Sequence, residues 1–569
     1  MRSAGWPVDA CTTMTRWLLR LFSSGAAALA PGVALAAAAS GVFDVRDFGA
    51  VGDGRTLCTA ALNRAVEAAA GRGGGTVLVP AGRYLTGTVY LKSNVTVELG
   101  PGSVVAGSTS LADYPENPPP VPVDTVAFRR LRPRYPEALE YGRFAIFSAA
   151  GQDRVRITGT GTIEGNGDHP NFSKRELVAR GLSRQEAHAR RPFGLSFVRC
   201  REVRVDGVAF RNLASWTQSY LDCDGVQVEG VSVDSAGEDR NNDGIDLDGC
   251  RNFRVTGCRF NTGDDAICLK SSFAMCENGV IAGCVIRSRV NAVKFGTASL
   301  VGFRTIAIAN LVVESAGAAG LALEIVDGGV LEDVVASNLT LHEVGAAFFI
   351  RLGDRGRQWM RPDDHVVGVL RRVLIENVTA STVQPFAGNP FASSISGLAG
   401  HPVEDVRIRG LRLVPQKGYP RDGAHALLAA AVLESETDYP EFGMFGPLPA
   451  SGVFVRHARD IVLDDVRVTP TAPEYRPTLY CQDVSGLRVN GLAAPVQPDG
   501  EAVVVLRDVN SAAFVGCRAP AGAPTYLRIE GASSEVTLSG VDLAGARQGV
   551  VLAPGLLPSI VRDLGLPQP

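Results

Sequence analysis

A short apolar strand recurs along this chain at a nearly fixed interval, and that repeat restricts the fold more than any other feature. Val155-Arg156-Ile157, Val203-Arg204-Val205, Val226-Gln227-Val228 and Phe253-Arg254-Val255 begin the series. Val280-Ile281, Ile306-Ala307-Ile308, Leu331-Glu332-Asp333-Val334 and Val406-Arg407-Ile408 continue it. The spacing is roughly 21 to 27 residues where no insertion intervenes, the size of one solenoid coil. Within each strand the alternation sends one side chain inward and the next outward. Stacked coils pair each strand in parallel with the next, which satisfies the backbone and leaves few free edges. A β-sandwich also offers many short strands, but the repeat runs too long for one.

The ends differ from the middle. The segment Thr59 to Ala70 reads as a helix that caps the open N-terminal end of the solenoid, between Phe48-Gly49-Ala50-Val51-Gly52-Asp53-Gly54 and the glycine run Gly73-Gly74-Gly75. Stretches at roughly 107–142 and 166–191 lack strand character and read as loops walling a cleft. We divide the chain into an export signal (1–38), a catalytic solenoid (39–420) and a region of further coils or a small β extension (421–569).

The export signal rests on Arg16 and Arg20 flanking Trp17-Leu18-Leu19, followed by an alanine-rich apolar run to about Ala38. A membrane anchor is the alternative, weakened by Pro31, Gly32 and the many alanines. Removal of the signal gives a mature protein outside the membrane, periplasmic or secreted. A net charge of -3 argues against nucleic acid as a partner. Arginine supplies most of the positive charge, and lysine occurs only at Lys92, Lys174, Lys270, Lys294 and Lys417. A lysine inside a motif is therefore informative. Of the 11 cysteines none forms a CxxC pair, which argues against a zinc ribbon. Export permits disulfides, yet cysteines also serve as small apolar residues stacked in a core.

Two acidic motifs stand one coil apart. The first is Asn241-Asn242-Asp243-Gly244-Ile245-Asp246 and the second Gly263-Asp264-Asp265-Ala266-Ile267-Cys268-Leu269-Lys270. Asp243 and Asp264 are 21 positions apart, so they are expected to stack on neighbouring coils of one face. Asp264 and Asp265 both need to reach the cleft, so the strand is expected to bend or end there. Three close carboxylates repel one another, and one of them should retain its proton near neutral pH. Glycoside hydrolysis needs that pairing of an acid with a base. Either motif alone reads more readily as a plain turn, and acidic turns also bind Ca²⁺; both motifs one coil apart favour the catalytic reading.

With these motifs the chain resembles glycoside hydrolase family 28, the polygalacturonase-like enzymes, over roughly residues 43 to 480. The resemblance implies a right-handed parallel β-helix acting on pectic or related polysaccharide. It also implies an inverting mechanism that needs no metal or other cofactor, with Asp264 as general acid and Asp243 and Asp265 activating water. The chain departs from the family at two places. Arg289 or Asn291 stands where a histidine is common, and Ala322 and Glu324 stand where an Arg and a Lys grip the substrate carboxylate. Lys294 is expected to pair with Glu324. Candidate substrate contacts are Asn241, Lys270, Arg289, Asn291, Lys294, Glu324 and Arg351. Trp216 and Gln218 are weaker candidates, and His457 reads as structural. A monomer is expected. A β-helix polysaccharide lyase and a non-catalytic carbohydrate-binding β-helix are the alternatives.

Overall fold

A computed structural model describes residues 41–115, 144–237, 241–356, 366–383 and 392–565. The expected export signal and most of the first expected wall loop lie outside these residues. The chain winds as a right-handed parallel β-helix, each coil contributing a strand to each of three parallel sheets. In the first sheet Val42–Asp44 pairs with Gly75–Val79, and the stack continues coil by coil to Val561–Asp563. The second runs from Asp53–Leu57 through Arg259–Thr262 and Val285–Ser288. The third runs from Val89–Tyr90 through Ile245–Asp248, Ile267–Ser271 and Val293–Ser299 to Ala546–Leu552. From Gly302–Ile325 onward, single extended runs supply more than one sheet of a coil. Beyond residue 420 the coils resume at Val453–Val468.

The corners between the sheets use a small set of residue types. The turn from the first to the second sheet is made at one residue of positive φ: Gly207, Gly230, Gly257, Gly283, Asn310, Asn338 and Asn377 on successive coils. Glycine and asparagine tolerate that conformation best. The asparagines add a ladder, with Asn338 Nδ2 donating to Asn310 Oδ1 at 3.0 Å and Asn377 Nδ2 to Asn338 Oδ1 at 2.7 Å. At the corner leading back to the first sheet, Cys200, Cys223, Cys250 and Cys276 stack in the same way, all buried. The described cysteines are free thiols, and all but the outward-facing Cys268 fill the interior.

The helix Thr59–Gly71 closes the N-terminal end, burying Ala61, Leu62, Ala65, Val66 and Ala69. Residues 166–191 form two short helices, Lys174–Ala179 and Arg184–Ala189, beside the third sheet. The solenoid interior on that sheet is a column of Ile245, Leu247, Ile267, Leu269, Val293, Phe295, Leu321 and Leu323. Each such side chain contributes roughly 1.5–3 kcal/mol of burial.

The outer face of the third sheet carries what is left over by the alternation. In register these positions are Asp246, Cys268, Lys294, Ala322, Phe349, Ser394, Phe454, Tyr480 and Val505. Over the later ones the chain folds back. The helix Arg421–Ala429 and the segment after it lay Leu428, Phe442, Phe445, Leu448 and Ala450 onto them as a second apolar cluster.

Candidate active site

The corner between the second and third sheets is the irregular one, and the acidic motifs lie in it. Ile245 pairs with Ile267, and Ile267 with Val293. Two residues before each, Asp243, Asp265 and Asn291 therefore stand level on three successive coils. Backbone bonds from Gly244 N to Asp265 O and from Ala266 N to Asn291 O, both 3.0 Å, extend the ladder through this corner. The partner level with Asp243 is thus Asp265 rather than Asp264, because the coil is one residue longer than the spacing of the motifs suggested. Gly244 is required here: a Cβ would lie 2.5 Å from Ala266 O and 2.6 Å from the Phe260 ring.

Asp264 sits in the turn before the strand starts at Ile267, so no regular strand forces it and Asp265 apart. Its Oδ2 accepts from Asn241 N at 2.9 Å and its Oδ1 from Asp265 N at 3.0 Å. Burial, then the neighbouring Asp265, pushes the Asp264 carboxyl above its ordinary value. Asp265 is held from the next coil. Its Oδ1 accepts from Asn291 N at 3.1 Å and Asn291 Nδ2 at 2.8 Å, and its Oδ2 faces Lys294 Nζ at 3.5 Å. Asn291 Oδ1 in turn accepts from Ala319 N at 3.0 Å.

Asp243 is 4 % exposed, and its Oδ1 meets no donor among the described residues. Burial holds its carboxyl well above the usual range, and Asp246 and Asp264 add to the effect. A carboxylate oxygen of Asp243, one of Asp265 and the Sγ of Cys268 lie within 4.8 Å of one another. Those three ligand types at that spacing could hold a cation, but two ammonium groups already line the cluster. Lys270 Nζ is 2.9 Å from Cys268 Sγ, and Lys294 faces Asp265.

Asp246, outward on the strand, lies 3.1 Å from Lys270 Nζ. Burial raises its pKa to about 7, with Lys270 opposing the rise. Lys270 also stands 4.8 Å over the Trp216 ring. Lys294 does not form the expected ion pair with Glu324: its Nζ is shared between Asp265 and Glu441, the latter also at 3.5 Å. Glu324 is 1 % exposed, and neither carboxylate oxygen meets a donor among the described residues. Burial lifts its pKa to about 8, against the pull of Lys294.

The remaining expected contacts divide. Asn241 is at the site, with Oδ1 accepting from Lys174 Nζ at 3.3 Å and Arg191 Nη2 at 3.2 Å. Arg289 is exposed at the lip of the corner and donates to Gly237 O at 3.2 Å. Arg351, expected as a substrate contact, is instead fully buried beneath the returning segment. Its guanidinium donates to Ser396 Oγ, Gly397 O, Glu434 O and Ser435 O at 3.0–3.1 Å. Gln218 is buried, accepting from the Tyr220 hydroxyl at 3.0 Å. His457 lies between Asp483 and Glu434, at 2.6 and 3.0 Å, away from the carboxylates.

Three participants went unnoticed in the sequence as side chains of the site: Asp246, Tyr439 and Glu441. Asp246 lay inside a motif, and strand alternation would have placed it outward beside Lys270. Tyr439 and Glu441 had no local signal, because the returning segment brings them in from more than a hundred residues away.

Residues 76–283 match the sequence model of glycosyl hydrolases family 28. Residues 42–100 match that of rhamnogalacturonase A/epimerase, pectate lyase-like. A probable polygalacturonase of Vitis vinifera is 24 % identical over 379 residues, spanning 61 % of this chain and 71 % of the relative. An exo-poly-α-D-galacturonosidase of Dickeya chrysanthemi is 28 % identical over 258 residues, 40 % of this chain and 41 % of its own length. Among solved structures, an exopolygalacturonase of Thermotoga maritima aligns with a TM-score of 0.49 and 24 % identity, over 66 % of this chain and 87 % of that one.

Proposed function

We propose that the chain is a polygalacturonase-like glycoside hydrolase of family 28, and that it hydrolyses a pectic-type polysaccharide with inversion, at a site where the sugar being cleaved presents no carboxylate to a cation. The observation that carries the chemistry is the level pair Asp243 and Asp265 beside the turned-back Asp264. Asp264, whose burial favours its protonated form, gives its proton to the glycosidic oxygen as the bond from the anomeric carbon breaks. Water attacks that carbon from the opposite face and loses a proton to the Asp243–Asp265 pair. Two carboxylates this close share a proton. Burial favours it on Asp243, while the donors of Asn291 and Lys294 converge on Asp265. Solvent exchange then returns a proton to Asp264 and removes one from the pair.

The substrate reading follows from how the cations are committed. Lys270 faces Asp246, and Lys294 faces Asp265 and Glu441. Arg355 holds Asp327 at 2.6 Å. Arg289 and Lys174 donate to Gly237 O and to Asn241 Oδ1. Ala322 and the buried Glu324 offer a uronate nothing. A carboxylate placed there loses hydration without a charge partner, at a cost of several kcal/mol by order of magnitude. The sugar at the cleavage site is therefore neutral, or a uronate turned to face away, within a branched pectic or similar glycan. The test is kcat/KM on polygalacturonate against branched and neutral pectic fractions. A best rate on unmodified polygalacturonate overturns the substrate reading and points to Lys294 or Arg289 as a carboxylate clamp. On the same reading, the signal to residue 38 is removed on export, and the mature enzyme acts outside the cell as a monomer without a metal cofactor.

A further inference from the structure

We infer that the segment from Val432 to Phe445 walls off one end of the substrate groove and makes the enzyme a chain-end hydrolase, releasing one or two sugars per cut. This rests on the hydrolase reading above and does not depend on which sugar is cleaved.

The groove follows the outer face of the third sheet, because the carboxylates lie at the edge of that face. On the catalytic coils and the coil before them, Trp216, Ser219, Asp248 and Lys270 keep partial exposure. Beyond them the face is closed. From the coil of Ala322 onward the outward positions Ala322, Phe349, Phe454, Tyr480 and Val505 are buried under Leu428, Phe442, Phe445 and Leu448. A polysaccharide cannot continue along a face already occupied by packed side chains.

The wall is fixed rather than draped. Arg456 donates to Val432 O at 2.8 Å, to Leu433 O at 2.9 Å and to Glu434 Oε1 at 3.2 Å. Arg351 holds the carbonyls of Glu434 and Ser435, and Asp354 N donates to Glu436 O at 2.8 Å. Beyond these anchors the segment presents Tyr439 and Glu441 to the catalytic coils. The Tyr439 hydroxyl accepts from Thr297 Oγ1 at 2.7 Å, and its ring stands 5.4 Å from Lys294 Nζ. Glu441 closes on the same lysine. Tyr439 is nevertheless 53 % exposed: an aromatic ring tied down at its hydroxyl, with half its surface open. An amphipathic ring in that position suits the apolar face of a terminal sugar.

Distance sets the length of product. Lys294 lies on the coil immediately after Asp265, and coils are spaced about 4.8 Å apart. Asp265 Oδ2 and Glu441 Oε1 each lie 3.5 Å from Lys294 Nζ, so the wall stands about one sugar ring from the catalytic pair, two at most. The chain therefore enters with its end against Tyr439 and is cut next to it.

The experiment follows product length and viscosity during early hydrolysis of polygalacturonate and of a branched pectic fraction, on whichever polymer is turned over. Wild-type protein should release only mono- and disaccharide from the first time point, with viscosity lagging behind the new reducing ends. Tyr439→Ala should shift the products towards trisaccharide and longer. A broad ladder of oligosaccharides from the wild-type protein, with viscosity collapsing early, overturns the inference while leaving the hydrolase reading intact. Cleavage of neither polymer, nor of any other glycan, removes both. Should Tyr439→Ala fold poorly, end-labelled oligosaccharides of increasing length decide the matter with wild-type protein alone. The cut should stay at a fixed distance from one end, and a cut that moves with length refutes the wall.

Discussion

The third sheet is built twice over from the same inward pattern but with opposite outward faces. From Gln218 to Ser299 its outward positions hold Asp246, Cys268 and Lys294, beside the corner of Asp243, Asp264 and Asp265. From Leu321 to Arg507 they hold Ala322, Phe349, Phe454, Tyr480 and Val505 beneath a second apolar cluster. The inner faces of the two halves are interchangeable columns of Ile, Leu, Val and Phe. The comparison teaches that the interior specifies the solenoid and is silent about function. What a coil does depends on its outward residues and on whether the chain returns to cover them. In the first half buried charge is paired or protonated at some cost to stability. In the second the same surface is ordinary core.

The largest expected effect falls on the catalytic half. Asp264→Asn should lower kcat by about a thousandfold, the loss of a positioned acid. Tm should stay unchanged or rise, since burial among carboxylates raises the Asp264 pKa and disfavours its ionised form. A variant that loses stability and activity together would mean the residue is structural, and the comparison would fail there. The covered half should behave in reverse. Phe454→Ala removes a fully buried ring stacked 5.8 Å from Tyr480. It should cost about 3 kcal/mol or more, read as a clear fall in Tm, with kcat on the preferred glycan unchanged.

Glu324 lies on the boundary between the halves and sharpens the contrast through pH. Its folded pKa is raised from 4.5 to about 8 by burial, so the native state binds a proton that the unfolded chain releases. Its contribution to stability is therefore intact below about pH 4.5 and is lost as pH rises towards 8. Glu324→Gln mimics the protonated form. Tm of the variant should match wild type near pH 4.5, exceed it by a few degrees at pH 8, and gain nothing further above. Lower stability of the variant at pH 8 would show that Glu324 is held ionised by Lys294. The smallest effect expected is none. A chelator should leave activity unchanged, because Lys270 and Lys294 already supply the positive charge around Asp243, Asp265 and Cys268. Loss of activity restored by a divalent cation would reverse that assignment.

Much of this was legible in the sequence. Strand alternation and the recurring spacing announced a solenoid, and two acidic motifs a coil apart pointed to the corner where the carboxylates gather. Register was legible only to within a residue, because periodicity says which side chains face outward but not how many residues a corner consumes. Asp243 consequently stands level with Asp265. The partners of Lys294 and the burial of Arg351 were not legible, since both follow from residues 432–445 returning over the sheet. A long-range return of that kind leaves no periodic trace. The stacked cysteines were open to either reading, disulfide or core, and their burial as free thiols settles it for those described.

The stereochemistry of the cut tests the roles of Asp243, Asp264 and Asp265 together. Proton NMR of the first product released from a substrate of known linkage, recorded before mutarotation, reads it directly. An acid at Asp264 and a water taken by Asp243 and Asp265 predict a product anomer opposite to that of the bond cleaved. Release with retained configuration would mean that one of these aspartates is a nucleophile carrying a covalent glycosyl intermediate, and would contradict the roles assigned to all three.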